Sequence, residues 1–125
     1  YGLNGKVILT GFLSQSEIKN FYLESKLYVM TSYTESFGLV LIEAMSYGLP
    51  CVAFDCASGA REIINENNGV LISDRNSQDM AKEIIKLFKD SERLKKLAAQ
   101  TLNTCKKYSM DEVKQKWMNL LEDKK

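Results

Sequence analysis

Short apolar runs rich in β-branched residues alternate along this chain with segments whose apolar residues recur at helical spacing. Four such runs, at residues 6–12, 27–32, 50–55 and 69–73, predict β-strands. Strands that are separated by helices pair in parallel, with the helices packed against the sheet. The pattern therefore predicts an α/β domain built on a parallel sheet. A length of 125 residues with 45% hydrophobic content is enough for one such core.

The helical segments carry their own boundary signals. Ser14 and Glu17 have the spacing of a capping box, and so do Ser109 and Glu112. The predicted helical segments are residues 14–25, a segment that starts near Phe37 or Gly38 and closes at Gly48, and residues 59–65, 77–90, 91–108 and 109–125. An apolar stripe on the last helix is predicted to pack in a hydrophobic seam. This stripe consists of Val113, Trp117, Leu120 and Leu121.

The composition excludes several functional classes. Lys and Arg total 17 against 16 Asp and Glu, so no strongly basic balance predicts binding to nucleic acid or to an anionic membrane. The absence of histidine rules out Ser-His-Asp triads, Cys-His pairs and HExxH zinc sites. No apolar run is long enough for a transmembrane segment, the first residues lack a signal-type pattern, and the three cysteines form no CxxC pair. We expect a reduced, cytoplasmic setting.

Two glutamates, Glu35 and Glu43, lie in a nearly charge-free stretch. A helix that starts between them offers free amide groups and about half a positive charge from its dipole, which suits an anion. Eight helical residues rise about 12 Å, roughly the distance between the two ends of a nucleoside diphosphate sugar. At those ends the carboxylates would accept hydrogen bonds from hydroxyl groups. Because the neighbours of Glu43 are apolar, we expect a buried helix in which this carboxylate needs a partner. The structural alternative is that Glu35 complements the helix N-terminus and Glu43 is solvated.

Four stretches of the chain, in order, resemble the nucleotide-binding C-terminal domain of the retaining, nucleotide-sugar-dependent glycosyltransferases of family 4. These stretches are VILTGF, LYVMTSYTESFGLVLIEAMSYGLPCVAFD, REIINENNGVLIS and MAKEIIKLF. The hallmark of that family is a pair of glutamates separated by seven residues, which Glu35 and Glu43 match together with the Phe-Gly pair at Phe37 and Gly38. The resemblance implies a GT-B fold of two facing Rossmann-like domains, with residues 1–125 in the second domain.

The resemblance also implies a role for each matching residue. Glu35 would contact hydroxyls of the donor sugar and, as the catalytic carboxylate, stabilise positive charge that develops there. Glu43 would bind the ribose hydroxyls of the nucleotide. Backbone amides that would hold the sugar and the diphosphate belong to Ser36, Phe37, Gly38 and Leu39.

A second loop, DCASGAREII, is similar to a loop of bacterial transferases that use UDP-hexoses or UDP-N-acetylhexosamines to build surface polysaccharides. The similarity places Ser58, Gly59 and Arg61 in a site loop, with alanines at positions 57 and 60 where those transferases have proline. Such enzymes generally use no metal ion, and this sequence has no Asp-x-Asp motif. We therefore expect no cofactor, with the UDP-sugar as donor substrate. The implied mechanism is a front-face reaction in which the leaving diphosphate accepts the proton of the acceptor hydroxyl.

The resemblance places several parts of the enzyme upstream of this chain. They are a basic pair that grips the diphosphate, two strands of the sheet, and an N-terminal domain that binds a saccharide or lipid-linked acceptor. We therefore expect an inactive fragment of an enzyme that is cytoplasmic or peripheral at the inner face of the membrane. A sheet without the two strands would leave a gap or re-pair, and a homodimer of the fragment is one expected arrangement.

Two alternatives stay open at this point. A GT-B epimerase or a starch-type synthase shares the architecture but normally has different loop chemistry at the site. A non-catalytic α/β interaction domain of the response-regulator type would leave Glu35 and Glu43 solvated. The aspartate cluster that such a domain carries near its first strand is absent from this sequence.

Overall fold

The structure is a computed structural model that describes residues 2–56, 58–73 and 75–122. The helices of these residues are α1 Gln15–Glu24, α2 Leu39–Ser46, α3 Ser58–Ile63, α4 Ser77–Lys89, α5 Ser91–Lys106 and α6 Met110–Glu122. The strands are β1 Tyr28–Met30, β2 Cys51–Phe54 and β3 Gly69–Ile72. Ala57, one of the two alanines that replace proline, lies outside the described residues, as do positions 123–125 of the predicted last helix.

The three strands form one parallel sheet in the order β1-β2-β3. Tyr28 of β1 is in register with Cys51 of β2, which is in turn in register with Gly69 of β3. Helix α2 connects the first pair of strands and helix α3 connects the second pair. The predicted parallel α/β sheet with flanking helices is confirmed, with each of these strands shorter than its apolar run.

The central strand β2 is buried along its whole length because helices cover both faces of the sheet. Its side chains alternate between the two faces. Cys51 and Ala53 join the core formed with α2 and α3, whereas Val52 and Phe54 join the core formed with α4 and α5. Cys51 is fully buried, and this burial raises the pKa of its thiol.

The prediction of a strand at residues 6–12 is wrong. These residues adopt no regular structure, and their apolar side chains are exposed, Leu9 by 93%. A strand persists only when its backbone groups have a partner. Strand β1 pairs with β2 through one edge, and no strand among the described residues pairs with its other edge. Within the part of the chain that the structure describes, the segment therefore has no neighbour that could order it as a strand.

Helices α1 and α6 begin as predicted, but the stripe on α6 is not buried. The Ser14 and Glu17 side chains form the reciprocal capping box of α1, and Ser109 Oγ accepts a hydrogen bond from the Glu112 amide at 3.3 Å. The stripe residues Val113, Trp117, Leu120 and Leu121 are all exposed. The predicted seam is wrong, because no described element covers this face of α6. None of the helices that the structure describes is both long and apolar enough to cross a bilayer.

A buried asparagine connects the turn before β3 to two helices. Asn68 Nδ2 donates hydrogen bonds to the Ile63 carbonyl oxygen at 2.8 Å and to Thr104 Oγ1 at 2.9 Å. Its Oδ1 accepts a hydrogen bond from the Asn65 amide at 2.8 Å. The Asn68 side chain is fully buried, so these bonds satisfy polar atoms that water cannot reach. They fix the end of α3 and the start of β3 against α5.

Candidate functional site

The candidate site lies where β1 and β2 end. Residues 31–38 follow β1 and lead into α2, and Asp55 follows β2 on the way to α3. Parallel strands bring the segments after their carboxyl ends to the same edge of the sheet, which is where α/β proteins commonly bind ligands. The structure therefore brings the two predicted site loops together.

Gly38 allows α2 to start at this edge. It is the N-cap of the helix and has φ = +92°, a left-handed conformation that strains residues with a side chain. The Leu41 amide donates to the Gly38 carbonyl oxygen at 2.9 Å. The amides of Gly38, Leu39 and Val40 precede that bond and have no acceptor within the helix. As predicted, the positive end of the helix dipole lies directly after Phe37.

Phe37 is held through both its ring and its backbone. Its ring packs edge-on against Tyr108 with a centroid distance of 5.8 Å, and the Tyr108 hydroxyl donates to the Glu62 carbonyl oxygen at 3.3 Å. A Cβ atom at Gly59 would lie only 2.2 Å from the Phe37 carbonyl oxygen. The first turn of α3 can approach the loop this closely because residue 59 has no side chain.

Glu35 lies two residues before Phe37 and is half-buried. The Ser36 amide donates a hydrogen bond to Glu35 Oε1 at 3.1 Å. This contact folds the carboxylate over the start of its own loop. Among the described residues, no hydrogen-bond donor is recorded for the other carboxylate oxygen.

Glu43 lies on the open face of α2. The face that packs on the sheet consists of Leu41, Ala44 and Met45, whereas Glu43 and Leu39 are exposed. The expectation of a helix buried on nearly every side, in which Glu43 needs an internal partner, is wrong. Only one face of α2 contacts the core, so an apolar composition does not mean burial all round. The side chain of Glu43 is accessible to a ligand.

Both glutamates contribute to the raised pKa of one phenol, that of Tyr28. Burial raises the pKa of Tyr28, and its neighbours Cys51, Glu43 and Glu35 raise it further. Burial and then the charge of Glu43 raise the pKa of Tyr22 to about 12. The two carboxylates are therefore within electrostatic reach of a single phenol, that of Tyr28.

The second loop is joined to the end of β2 by an ion pair. Arg61 Nε lies 2.5 Å from Asp55 Oδ1, and this hydrogen bond raises the pKa of Arg61. The Asp55 amide donates to the Ile72 carbonyl oxygen at 2.7 Å, which extends the pairing of β2 with β3 by one residue. Ser58 is exposed at the start of α3. The predicted residues Ser58, Gly59 and Arg61 thus lie on one short helix. Through Gly59 this helix contacts residues 31–38, which we call the Glu35 loop.

One contact at this edge involves residues that the sequence did not single out. The guanidinium carbon of Arg75 lies 3.8 Å from the centroid of the Tyr33 ring. Tyr33 follows β1 and Arg75 follows β3. Their positions just after parallel strands are the sequence signal that could have identified them.

Two grooves on the described part of the chain lie away from the glutamates. A groove of about 420 Å³ lies between Asn67 and α5, and another of about 500 Å³ runs beside β3 and α4. Neither groove is lined by Glu35 or Glu43.

Comparison with known proteins identifies the class of this chain. Residues 1–104 match the family described as glycosyl transferases group 1. The chain is therefore a glycosyltransferase domain. It belongs to the glycosyl transferases group 1 family, and this membership favours the glycosyltransferase hypothesis over a response-regulator type of interaction domain.

Individual relatives support the same assignment. The poly(ribitol-phosphate) alpha-N-acetylglucosaminyltransferase of Staphylococcus aureus (strain COL) is 39% identical over 97 residues, which cover 76% of this chain and 20% of that protein. The C-terminal domain of the group 1 family protein LpcC from Francisella tularensis superposes with a TM-score of 0.78 and 29% identity, covering 87% of this chain and 57% of that chain. Anabaena HepE in complex with UDP gives a TM-score of 0.86 at 28% identity, covering 98% of this chain and 34% of that chain.

These neighbours confirm the Rossmann-like fold of a GT-B C-terminal domain. The chain spans only between 17% and 32% of the lengths of the first curated relatives that it matches. The match therefore covers the part of those proteins that corresponds to this sheet and its helices.

Proposed function

We propose that this chain is the donor-binding part of a retaining glycosyltransferase, which moves a hexose or N-acetylhexosamine from a UDP-sugar to a saccharide or lipid-linked acceptor. The observation that carries the proposal is the N-terminus of α2. The helix has its N-cap at Gly38, so its free amide groups lie between Glu35 and Glu43 in the sequence. The similarity to HepE, which was crystallised with UDP, supports a uridine nucleotide as ligand. The Staphylococcus aureus relative, named as an alpha-N-acetylglucosaminyltransferase, supports a sugar of this type.

The diphosphate would bind at the first turn of α2. Amides of the site loop and the helix dipole together attract an anion without a cluster of basic side chains. Because the Ser36 amide already donates to Glu35, the remaining amides of Phe37, Gly38 and Leu39 would make most of the phosphate contacts. No metal ion is needed to supply positive potential in this arrangement.

The two carboxylates would bind the groups on either side of the diphosphate. Glu35 would use its available oxygen to accept a hydrogen bond from a hydroxyl of the sugar. Glu43 would accept hydrogen bonds from the vicinal hydroxyls of the ribose. Charge-assisted hydrogen bonds of this kind are about twice as strong as neutral ones, so each glutamate contributes to both affinity and orientation.

The chemistry would follow from positioning. The bond between the anomeric carbon and the diphosphate breaks while the acceptor oxygen approaches from the same face, and the leaving diphosphate takes the acceptor proton. Glu35 would stabilise the positive charge that develops at the sugar. The helix terminus would stabilise the negative charge that develops on the leaving group.

The chain alone would bind its donor weakly and transfer no sugar. The family resemblance implies an Arg and Lys pair, two strands and an acceptor-binding domain that precede these residues in the full enzyme, at the cytoplasmic side of the membrane. Without that pair we expect a Kd for UDP of about 1 mM, or about −4 kcal/mol.

A titration of the isotopically labelled chain with UDP and UDP-N-acetylglucosamine, followed by NMR, tests the proposal. We expect the amide signals of residues 36–40 to shift and the Kd values to be near millimolar. The substitution Glu43→Gln should weaken both ligands by about tenfold, because it removes a hydrogen bond to a charged group. Glu35→Gln should weaken UDP-N-acetylglucosamine alone.

Glu66→Gln is the matched control, since Glu66 is an exposed carboxylate on the turn before β3. It should leave both affinities unchanged. Micromolar binding of UDP would refute the expected weakness of the chain alone. The site would be refuted if Glu43→Gln left both Kd values unchanged and the amide signals of residues 36–40 did not shift on addition of ligand.

A further inference from the structure

The contact between Arg75 and Tyr33 joins two loops at the edge of the sheet where the candidate site lies. The distance of 3.8 Å from the guanidinium carbon to the ring centroid is well within cation–π range. Tyr33 lies two residues before Glu35 in the loop after β1. Arg75 lies in the turn between β3 and α4.

This contact passes over the end of the central strand. The strand order is β1-β2-β3, and neighbouring strands lie about 4.8 Å apart, so the ends of β1 and β3 are separated by about 10 Å. Backbone hydrogen bonds cannot cross that gap. A long side chain such as that of Arg75 can do so, and a large flat partner such as Tyr33 reduces the distance to be covered.

The turn that carries Arg75 fixes its direction. Arg75 has φ = +60°, which is unfavourable for a residue with a side chain. The Asn76 amide donates to the Ser73 carbonyl oxygen at 3.0 Å, and the Ser77 amide donates to that of Arg75 at 2.9 Å. The Asn76 side chain also caps α4 by accepting a hydrogen bond from the Asp79 amide. The guanidinium therefore extends from a turn that is anchored to a helix.

Tyr33 and Phe37 hold the Glu35 loop from its two sides. Phe37 is fixed after Glu35 by Tyr108 and by the close approach of Gly59. Before Glu35, the residue Tyr33 is 70% exposed, so core packing contributes little to its position. The stacked guanidinium of Arg75 supplies an anchor there.

We propose that Arg75 is a positioning residue for the donor sugar, because it holds Tyr33 and thereby the loop that presents Glu35. The inference rests on the proposed function, in which Glu35 binds the sugar and Glu43 binds the ribose. Loss of the stacking then weakens recognition of the sugar and leaves recognition of the nucleotide largely intact.

A double-mutant cycle on the 125-residue chain tests this inference. Arg75→Gln removes the charge at similar length and keeps a side chain at the left-handed position, and Tyr33→Leu removes the ring. Each should weaken binding of UDP-N-acetylglucosamine by about two- to fivefold, the range of an exposed cation–π contact, and leave the Kd of UDP unchanged. The double variant should be no weaker than the single ones.

Conservative variants and a remote arginine serve as controls. Tyr33→Phe keeps the ring and should bind like the natural chain, and Arg75→Lys should restore part of the loss. Arg93→Gln removes an arginine on α5 that pairs with Glu83 and should change neither affinity. In the ligand-free chain, the amide signals of Thr34 to Ser36 should shift in the same way for Arg75→Gln and Tyr33→Leu.

The outcomes separate this inference from the proposed function. If the natural chain binds both ligands but the two substitutions act additively, or weaken UDP as much as UDP-N-acetylglucosamine, the positioning role is overturned and the proposed function stands. If the natural chain binds neither ligand near millimolar concentration, the proposed function fails, and the role of Arg75 in sugar recognition fails with it.

Discussion

At the scale of single residues, the position of the site loop depends on a side chain that is absent. Gly59 lies in a helix, where alanine would be more stable by about 1 kcal/mol. A Cβ atom there would nevertheless lie 2.2 Å from the Phe37 carbonyl oxygen and 2.5 Å from its Cα. Both atoms belong to the backbone, so rotation of a side chain cannot relieve the overlap. The local preference of the helix is overridden by the packing of the two loops.

We predict that Gly59→Ala displaces the Phe37 backbone and lowers the free energy of unfolding by about 1–3 kcal/mol, the usual cost of overpacking. Urea unfolding and the amide spectrum of Ser36 to Leu39 measure the two effects. The control is Gly48→Ala, where a Cβ meets nothing within 4 Å although φ is +79°. It should lose stability through backbone strain without moving the Phe37 amide. A more stable Gly59→Ala variant with unchanged amide signals would contradict this account.

At the scale of the elements, the site is supported from behind by the packing of α3, β3 and α5. Asn68 connects them through three hydrogen bonds made by one buried side chain. Tyr108, just beyond α5, in turn supports Phe37 at the site. The position of the Glu35 loop therefore depends on how α5 docks, although α5 contributes no predicted ligand-binding residue.

We predict that Asn68→Ala lowers the free energy of unfolding by about 2–3 kcal/mol, because it leaves buried partners such as the Ile63 carbonyl without a hydrogen bond. The midpoint of urea denaturation measures this change. Asn67→Ala is the matched control, since Asn67 is the exposed neighbour in the same turn. A loss of stability as large for Asn67→Ala as for Asn68→Ala would show that the turn, rather than the buried side chain, carries the effect.

At the scale of the whole molecule, two of the exposed apolar surfaces on the described residues could take part in association. One is the segment of residues 7–12 and the other is the stripe on α6. The free edge of β1 is a third surface that another strand could extend. Exposed apolar surfaces of this extent are typical of contacts with other domains or chains. The homodimer of the chain, which the sequence offered as one arrangement, stays a prediction.

Trp117 provides the measurement, because it is the only tryptophan of the chain and is 61% exposed. At low concentration its fluorescence should resemble that of tryptophan in water and be quenched readily by acrylamide. If two copies pair through α6, the emission shifts to the blue and quenching weakens as the concentration rises. Sedimentation of Leu121→Gln, which makes the stripe more polar, should then show less association. Emission that does not depend on concentration would contradict pairing through α6.

Much of the fold and part of the site were predictable from sequence. The runs at β1, β2 and β3 and the boundary signals of α1 and α6 are local, since each depends on residues within one segment. The same is true of the start of α2 at Gly38. The proximity of the two loops agrees with a general property of parallel sheets, in which the segments after the carboxyl ends of the strands share one edge. The roles of Glu35 and Glu43 as ligand-binding residues stay predictions that the titration tests.

The errors arose where the outcome depends on a partner that is distant in sequence. Local sequence determined that residues 6–12 are apolar and β-branched, that α2 is apolar and that α6 has an apolar stripe. Only the tertiary structure decided that no strand among the described residues lies beside the first segment. It also decided that one face of α2 is open and that Arg75 reaches Tyr33 across β2. Propensity and periodicity act between neighbours along the chain, whereas burial and long side-chain contacts depend on which elements lie side by side in space.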